Sequence, residues 1–399
     1  MEDNGGMEPG KQQQRNRYLL HIVLFLVTLL TTSIAGLELI TGRSFFRGGS
    51  LTWADLPDGL PFSLSFLGFL TVHEFGHYFT AVYHRVKVSL PYYIPIYIPF
   101  SLINIGSFGA VIRIRELPGS RQKYFDIGVA GPLAGFVVAL GLLVYGLLNL
   151  PPMEETVLGI HPEYLLEHGG VPTLEDLQEK GKPALVLGGS LLMDLLMAIL
   201  PLDRAELPPA FEMMHYPYIF TGFLTLFFTA LNLLPIGQLD GGHVVYGLFG
   251  KRIAGYVSRA SVLALLLVGG TGVVTITEFD PSYYSSYQRW LGEEALKLLL
   301  YAGFVFYVVR RLVRDWSVGQ ILLGVGGALL VQAAAKWLFP GIAVNGIWLL
   351  YSFLAVTMIG VDHPRAPDDT PLDRKRKVLA WLAILIFVLC FSPSPLVLL

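Results

Sequence analysis

The chain alternates between long apolar stretches and short polar segments. A helix needs about 20 apolar residues to cross a bilayer, and by that criterion the pattern predicts nine membrane spans. Their approximate bounds are 18–40, 61–83, 125–149, 217–238, 253–275, 294–312, 318–338, 342–360 and 378–397. The pattern therefore predicts an all-α, polytopic transmembrane protein with about nine spans.

These spans divide the chain into four parts. We expect a cytoplasmic N-terminal tail at 1–17, a first span with an outer loop at 18–60, a membrane core at 61–275 and additional C-terminal spans at 276–399. A polar insert at 150–216 interrupts the core. Residues 18–40 are too long for the apolar centre of a signal peptide, so they predict an uncleaved anchor.

The distribution of charge predicts the orientation. Short cytoplasmic loops carry an excess of Lys and Arg, and a cytoplasmic N-terminus followed by nine spans places every basic cluster on that side. The clusters are Arg85, Lys87, Arg113, Arg115, Arg121 and Lys123; Arg310, Arg311 and Arg314; and Arg374, Lys375, Arg376 and Lys377. The insert carries eleven acidic and three basic residues, so we expect it outside. Its apolar run at 184–200, broken by Asp194, is a marginal span that could instead lie in the interface plane.

Residues 88–116 do not follow the helical pattern. Pro91, Pro95 and Pro99 prevent a regular helix, and the alternation of apolar and basic residues after them is typical of a strand. Non-helical backbone at membrane depth has to line a cavity or be covered by protein. The segment therefore predicts a short re-entrant β-element, with a cytoplasmic hairpin or a surface loop as alternatives.

Composition agrees with a membrane protein. The chain is 53% hydrophobic and 15% charged, with a mean hydropathy of +0.58, whereas soluble domains carry about 25% charged residues. A net charge of −2 gives no reason to expect a nucleic acid partner. The single cysteine, Cys390, excludes an intrachain disulfide and a zinc site built from cysteines.

The sequence HEFGH places three ionisable side chains inside the second span. Intramembrane ionisable residues are costly and mark functional sites. His73 and His77 lie four residues apart, so both face one side of a helix, and H-E-x-x-H combines two zinc ligands with a glutamate as general base. Glu74 is rotated by about 100° from His73. The alternative is a polar patch that pairs helices.

A third ligand is predicted in a later segment, NLLPIGQLDGGH, at 232–243. The orientation above brings it to the bilayer depth of the histidines, which favours Asp240 as a zinc ligand over a simple helix cap. His243 is interpreted as a neighbour of the ligands, because a fourth protein ligand would close the position that water needs. Proline and glycine are expected to break the helix around Asp240; they are Pro235, Gly237, Gly241 and Gly242.

The two motifs, in this order, resemble the site-2 protease family of intramembrane zinc metalloproteases. The resemblance covers roughly 60–275. It implies that His73, His77 and Asp240 bind one Zn²⁺ per chain and that Glu74 is the catalytic base that activates water. Asn232 matches an asparagine thought to position the substrate or the oxyanion, although an interhelical hydrogen bond is the alternative.

Two further segments match the family. GSFGAV, with Gly106, Phe108 and Gly109, looks like the re-entrant loop proposed to hold an unwound substrate as an added strand. GPLAG, at 131–135, looks like the glycine-proline motif of the next span, where close helix packing and substrate contact are both open. The insert at 150–216 is short for a PDZ domain. His84 is expected to be solvated in its basic loop.

The sequence thus predicts a zinc metalloendopeptidase that cleaves membrane-anchored protein substrates within or next to their transmembrane segments. A metal transporter and a structural scaffold are the alternatives. The partners are these substrates and the lipid bilayer, and the oligomeric state is open. Since no Arg- and Ser-rich transit peptide is visible, a multi-pass protein of a prokaryotic cell membrane is expected, with its active site toward the cytoplasm.

Overall fold

The fold comes from a computed structural model that describes residues 9–46, 51–98, 104–179, 184–273, 287–339 and 345–398. Pro99 and the end of the predicted span 253–275 lie outside these ranges. The described part is mostly helical with four short strands. This confirms the predicted helical class.

The longer helices follow the predicted apolar stretches, and most of the shorter ones lie in the polar insert. Their bounds are α1 Pro9–Thr41, α2 Leu60–Tyr83, α3 Arg121–Leu148, α4 Met153–Ile160, α5 Glu163–His168, α6 Leu174–Glu179, α7 Leu191–Ile199, α8 Pro217–Asn232, α9 Asp240–Gly270, α10 Tyr287–Leu312, α11 Val318–Leu338, α12 Ile347–Leu354 and α13 Arg374–Cys390. A 3-10 turn at Met213–His215 precedes α8, and a π-turn at Ala355–Ile359 follows α12.

Four of these helices are long and apolar enough to cross a membrane, within the part of the chain that is described. They are Tyr18–Thr41, Arg121–Leu148, Asp240–Gly270 and Val318–Leu338. The helices at Pro217–Asn232 and Ile347–Ile359 are apolar but shorter. The count of about nine crossings stays a prediction.

The central core forms where α2, α3 and α8 pack together. Its largest buried side chains are aromatic: Phe62, Phe66, Phe69, Phe125 and Phe220. Phe62 stacks between Phe66 and Phe220, with ring centroids 5.7 and 5.9 Å away. Aromatic side chains bury large areas in a fixed geometry, so this cluster holds α2 rigidly between its neighbours.

A second hydrophobic cluster joins α9 to α10, α11 and α12. Trp348 is fully buried in it. The buried Gln332 of α11 donates its Nε2 hydrogens to the Tyr301 hydroxyl and to the Leu266 carbonyl, at 2.7 and 3.0 Å. Side-chain hydrogen bonds of this kind fasten one apolar helix to another.

The boundary between α8 and α9 differs from the prediction. Helix α8 ends at Asn232, and α9 begins at Asp240 itself. The prediction that Gly241 and Gly242 break the helix is wrong, because both lie within α9. A Cβ atom at Gly241 would stand 2.0 Å from the Leu233 carbonyl oxygen, so these glycines allow the helix to start against the preceding turn. The axis of α9 breaks later, at Gly250, where φ is 77°.

The proline-rich segment forms two antiparallel strands, β1 Tyr92–Pro95 and β2 Ser107–Val111. Tyr92 pairs with Val111, and the register shifts between Tyr93 and Pro95. Gly106 has a φ of 75°, and a Cβ there would lie 2.4 Å from the Thr31 carbonyl oxygen. Only glycine fits this approach to α1. The strands agree with the predicted β-element, while its re-entrant position stays a prediction.

In its described residues, the insert at 150–216 contains four short α-helices, α4 to α7, the 3-10 turn before α8 and strand β3 Leu185–Leu187. This strand pairs with β4 Leu396–Leu398 near the end of the chain. The apolar run 184–200 is therefore split between β3 and the nine-residue helix α7. A helix of this length is too short to span a bilayer.

Candidate metal centre

The three predicted ligands meet in one place. His73 Nε2 lies 3.1 Å from His77 Nε2, and Asp240 Oδ2 lies 3.5 Å and 3.3 Å from these two nitrogens. A tetrahedral zinc with bonds of about 2.0–2.1 Å has its ligand atoms about 3.3 Å apart. The spacing of the three atoms fits one zinc ion.

The hydrogen bonding of His77 supports the same fit. His77 Nδ1 lies 2.7 Å from the Ile127 carbonyl oxygen. A carbonyl only accepts, so Nδ1 carries the proton and Nε2 turns a lone pair toward His73 and Asp240. Such an outer partner fixes the tautomer of a metal-binding histidine. Both histidines are buried, and a group of donors this close is compatible with a cation between them.

Glu74 lies beside this group without joining it. The candidate metal ligands on these elements are His73, His77 and Asp240, and Glu74 is not one of them. The Glu74 side chain is buried and lies next to the backbone of Ile112, directly after β2. This position suits a base that serves the same centre.

The ends of α8 and α9 add two polar neighbours. Asn232 Nδ2 lies 3.4 Å from His73 Nε2. His243 does not join the metal group; its Nδ1 lies 2.7 Å from Nε2 of His363. The sequence pattern did not predict a role for His363, which lies in the loop after the π-turn. Burial and the nearby His243 lower the pKa of His363 to about 3.

Comparison with known proteins assigns the chain to a family. The model of peptidase family M50 matches residues 61–271, which is more than half of the chain and contains both motifs. The chain belongs to this family. The match confirms the resemblance to site-2 proteases that the two motifs indicated.

Named relatives of this M50 chain are plant proteins. The probable zinc metalloprotease EGY1 of Arabidopsis thaliana is 30% identical over 270 residues, which cover 64% of this chain and 44% of the relative. EGY1 of Oryza sativa subsp. japonica is 28% identical, covering 64% and 42%. EGY2 of Oryza sativa subsp. indica is 31% identical, covering 54% and 33%. The matches thus span less than half of the length of these relatives, which are named as chloroplastic. No solved structure gives a significant match.

The glycines of the GPLAG motif make room for His73 and His77, the two candidate metal ligands of α2. A Cβ atom at Gly131 would stand 2.1 Å from His77 Nε2, and one at Gly135 would stand 3.1 Å from His73 Nδ1. On the opposite helix, a Cβ at Gly76 would lie 2.7 Å from the Ala130 carbonyl oxygen. Small residues let helices approach closely, so α2 and α3 touch along the face that carries the ligands.

His84 lies in an ion-pair network, and the expectation that it is solvated is wrong. Its Nε2 lies 2.8 Å from Asp126 Oδ2, and its side chain is 13% exposed. Asp126 also accepts two hydrogen bonds from Arg376, both of 2.8 Å. The network joins the end of α2 to α3 and α13, and thereby holds α2 in place at its basic end.

The hairpin approaches the side of α2 that carries Glu74. The Tyr93 hydroxyl lies 2.7 Å from the hydroxyl of Thr71, three residues before Glu74. Phe108 on β2 is 67% exposed, and a Cβ at Gly109 would have no other atom within 4 Å. Of the predicted substrate residues, Phe108 is exposed, whereas Gly106 and Gly109 are buried. The residue after the strand, Ile112, lies next to Glu74.

Proposed function

We propose that this protein is an intramembrane zinc metalloendopeptidase. It hydrolyses peptide bonds within or next to the transmembrane segments of membrane-anchored proteins, as in regulated intramembrane proteolysis. The observation that carries this proposal is the convergence of His73 Nε2, His77 Nε2 and Asp240 Oδ2 beside the buried Glu74. Membership of peptidase family M50 supports the same activity.

His73, His77 and Asp240 hold one catalytic zinc per chain in this proposal. Bound zinc supplies a Lewis acid that polarises the attacking water and the scissile carbonyl. Glu74 accepts the proton of the water as it attacks and returns it to the leaving amine. Asn232, whose amide points at the same centre, donates a hydrogen bond to the substrate or to the developing oxyanion.

The hairpin holds the substrate in this proposal. A transmembrane helix hides its peptide bonds, so the substrate has to unwind before hydrolysis. An unwound segment pairs with the edge of β2, because an extended peptide adds readily to an exposed strand. Phe108 and Gly109 lie on this strand, Gly106 directly precedes it, and the backbone of Ile112 after it lies next to Glu74. A substrate paired with β2 therefore lies close to the proposed base, Glu74.

The proposed topology has about nine crossings, with a catalytic core at 61–275, an external insert at 150–216 and further spans at 276–399. Basic residues cluster next to the metal-binding end of α2, at Arg85 and Lys87. The charge rule therefore puts the active site near the cytoplasmic face, in a multi-pass protein of a prokaryotic membrane. The named relatives are chloroplastic, so membrane fractionation of the source cell is the direct test of the compartment.

A metal transporter is the competing function. It needs intramembrane ligands but no general base, so Glu74→Gln would leave transport largely intact. A protease predicts the opposite: Glu74→Gln keeps the size and hydrogen bonding of the side chain but cannot take up the proton.

The decisive experiment compares the wild type with Glu74→Gln on a single-span model substrate, together with the zinc content of both proteins. We expect unchanged zinc and a loss of cleavage of at least ~10². Equal cleavage by the two proteins would show that the mechanism is wrong, and zinc-free wild-type protein would exclude the metal centre.

A further inference from the structure

A second group of metal-binding side chains lies at the other end of α8. His215 closes the 3-10 turn before this helix, Glu212 precedes that turn, and His161 follows α4 in the insert. Helix α8 has 16 residues, so its two ends are about 24 Å apart. This second group is therefore separate from the centre beside Asn232.

The three donor atoms of the second group are spaced much like those of the catalytic centre. His161 Nε2 lies 3.3 Å from His215 Nε2. Glu212 Oε2 lies 3.5 Å from His215 Nε2 and 3.9 Å from His161 Nε2. Two imidazoles and one carboxylate are a donor set that zinc uses in proteins.

The outward atoms of the three side chains are all hydrogen-bonded. His215 Nδ1 lies 2.7 Å from the Leu39 carbonyl oxygen, and His161 Nδ1 lies 3.1 Å from Glu163 Oε1. Glu212 Oε1 accepts a hydrogen bond of 3.1 Å from the Tyr164 hydroxyl. Outer partners of this kind orient metal ligands and fix the histidine tautomers.

The inward atoms are left with lone pairs that face one another. Because each Nδ1 proton points to an oxygen, neutral His161 and His215 both present an unprotonated Nε2. The third inward atom, Glu212 Oε2, is buried without a hydrogen-bond partner, on a side chain that is only 2% exposed. A buried polar atom without a partner is costly, and a cation among the three would satisfy all of them.

From this arrangement we propose a second metal site, a zinc ion held by His161, Glu212 and His215. The site fastens the insert to the membrane part of the protein, since His215 also binds the last turns of α1 through Leu39. His161 and His215 are 54 positions apart, so the metal closes a long loop. Because this site lies against the insert and away from Glu74, its role is structural. The expected zinc content rises from one to two per chain.

The test is a zinc count on the full chain, purified in detergent without a histidine tag and measured by mass spectrometry. We expect two zinc ions per chain in the wild type, one in His161→Ala, one in His77→Ala, and none in the double variant. His168→Ala, another histidine of the insert, is the control and should keep both. One zinc in the wild type that His161→Ala does not change would overturn the second site.

The same count distinguishes this site from the catalytic one. A single zinc lost in His77→Ala but kept in His161→Ala contradicts only the second site. A single zinc lost in His161→Ala but kept in His77→Ala contradicts only the catalytic assignment. His161 is 25% exposed at the end of a short helix, so its replacement by alanine should leave the membrane core folded.

Two further measurements use the His77→Ala protein, in which only the second site remains. Titration with Co²⁺ should give the visible absorption of one bound, low-coordinate ion per chain, and zinc should displace it. A chelator should raise the rate at which an added protease cuts the insert 150–216, by about tenfold if the ion stabilises the folded insert by binding to it. Absence of Co²⁺ absorption, or an insert equally resistant with and without chelator, would contradict the proposal.

Discussion

The backbone of Gly131 lies directly against the imidazole of His77. A methyl group at position 131 would stand 2.1 Å from His77 Nε2. At Gly135 the corresponding distance to His73 Nδ1 is 3.1 Å, so position 131 has less room of the two. Helix α3 is thus the surface against which the proposed zinc-binding face of α2 packs. The proposed metal centre therefore requires that position 131 has no side chain.

Gly131→Ala should therefore displace His77 and lower the zinc content by up to one equivalent per chain. Overpacking of a tight contact also costs about 1–3 kcal/mol of stability. Gly141→Ala is the matched control, since it lies in the same helix with no atom within 4 Å of its added methyl. Zinc analysis and thermal unfolding of both variants check this; full zinc retention in Gly131→Ala would refute the proposed requirement.

Asn232→Ala should lower cleavage while the zinc remains bound. If the amide stabilises the developing oxyanion, its loss costs about 10²–10³ in turnover. The comparison variant is Asn149→Ala, an asparagine at the far end of α3 that bonds its own helix through Tyr145. Turnover of a model substrate at saturation is the measurement. A folded Asn232→Ala protein with normal turnover would assign the amide to helix packing instead.

The sequence predicted the parts of this site that depend on local rules. The spacing of His73 and His77 puts both on one face of a helix. The predicted orientation of the second and fourth spans puts Asp240 at the same bilayer depth. The sequence did not predict the network of His84, Asp126 and Arg376, because Arg376 lies 250 positions from Asp126. Only the packing of α13 on α3 brings these residues together.

The start of α9 shows a different limit of the sequence. Glycine pairs normally favour turns, so the residues after Asp240 were expected to lie in a break. In the structure the contact with Leu233 requires the missing side chain of Gly241, and tertiary packing outweighs the low helix propensity of glycine. The second group, with His161 and His215, also escaped the sequence pattern, since no motif links residues so far apart.

Phe108→Ala should weaken substrate use without changing the zinc content. Its side chain is 67% exposed on β2, so its truncation should leave the fold intact. Loss of its contact with an added substrate strand should reduce kcat/KM by about tenfold, which corresponds to about 1.4 kcal/mol. Leu117→Ala, 74% exposed beyond the hairpin, is the control. Equal kcat/KM in both variants would argue against a substrate on this strand.

Gly109→Val should also lower cleavage more than zinc binding. The φ of Gly109 is 106°, a conformation that costs a β-branched residue strain, so valine alters the strand as well as its surface. Zinc content and cleavage measured together check this expectation. A loss of zinc equal to the loss of cleavage would indicate that the hairpin supports the metal centre itself.

Cleavage should fall in the cytoplasmic half of a substrate span. The metal-binding turns of α2 are followed by basic residues, and the charge rule puts that end inside. Unwinding there exposes peptide groups that hydrocarbon cannot hydrogen-bond. Helix-breaking residues in that half of the substrate should therefore speed cleavage, whereas polyleucine should slow it. Mass spectrometry of the products from a substrate of known orientation gives the position of the cut. A cut in the outer half would contradict both the topology and the route of access, because the same basic clusters determine the two.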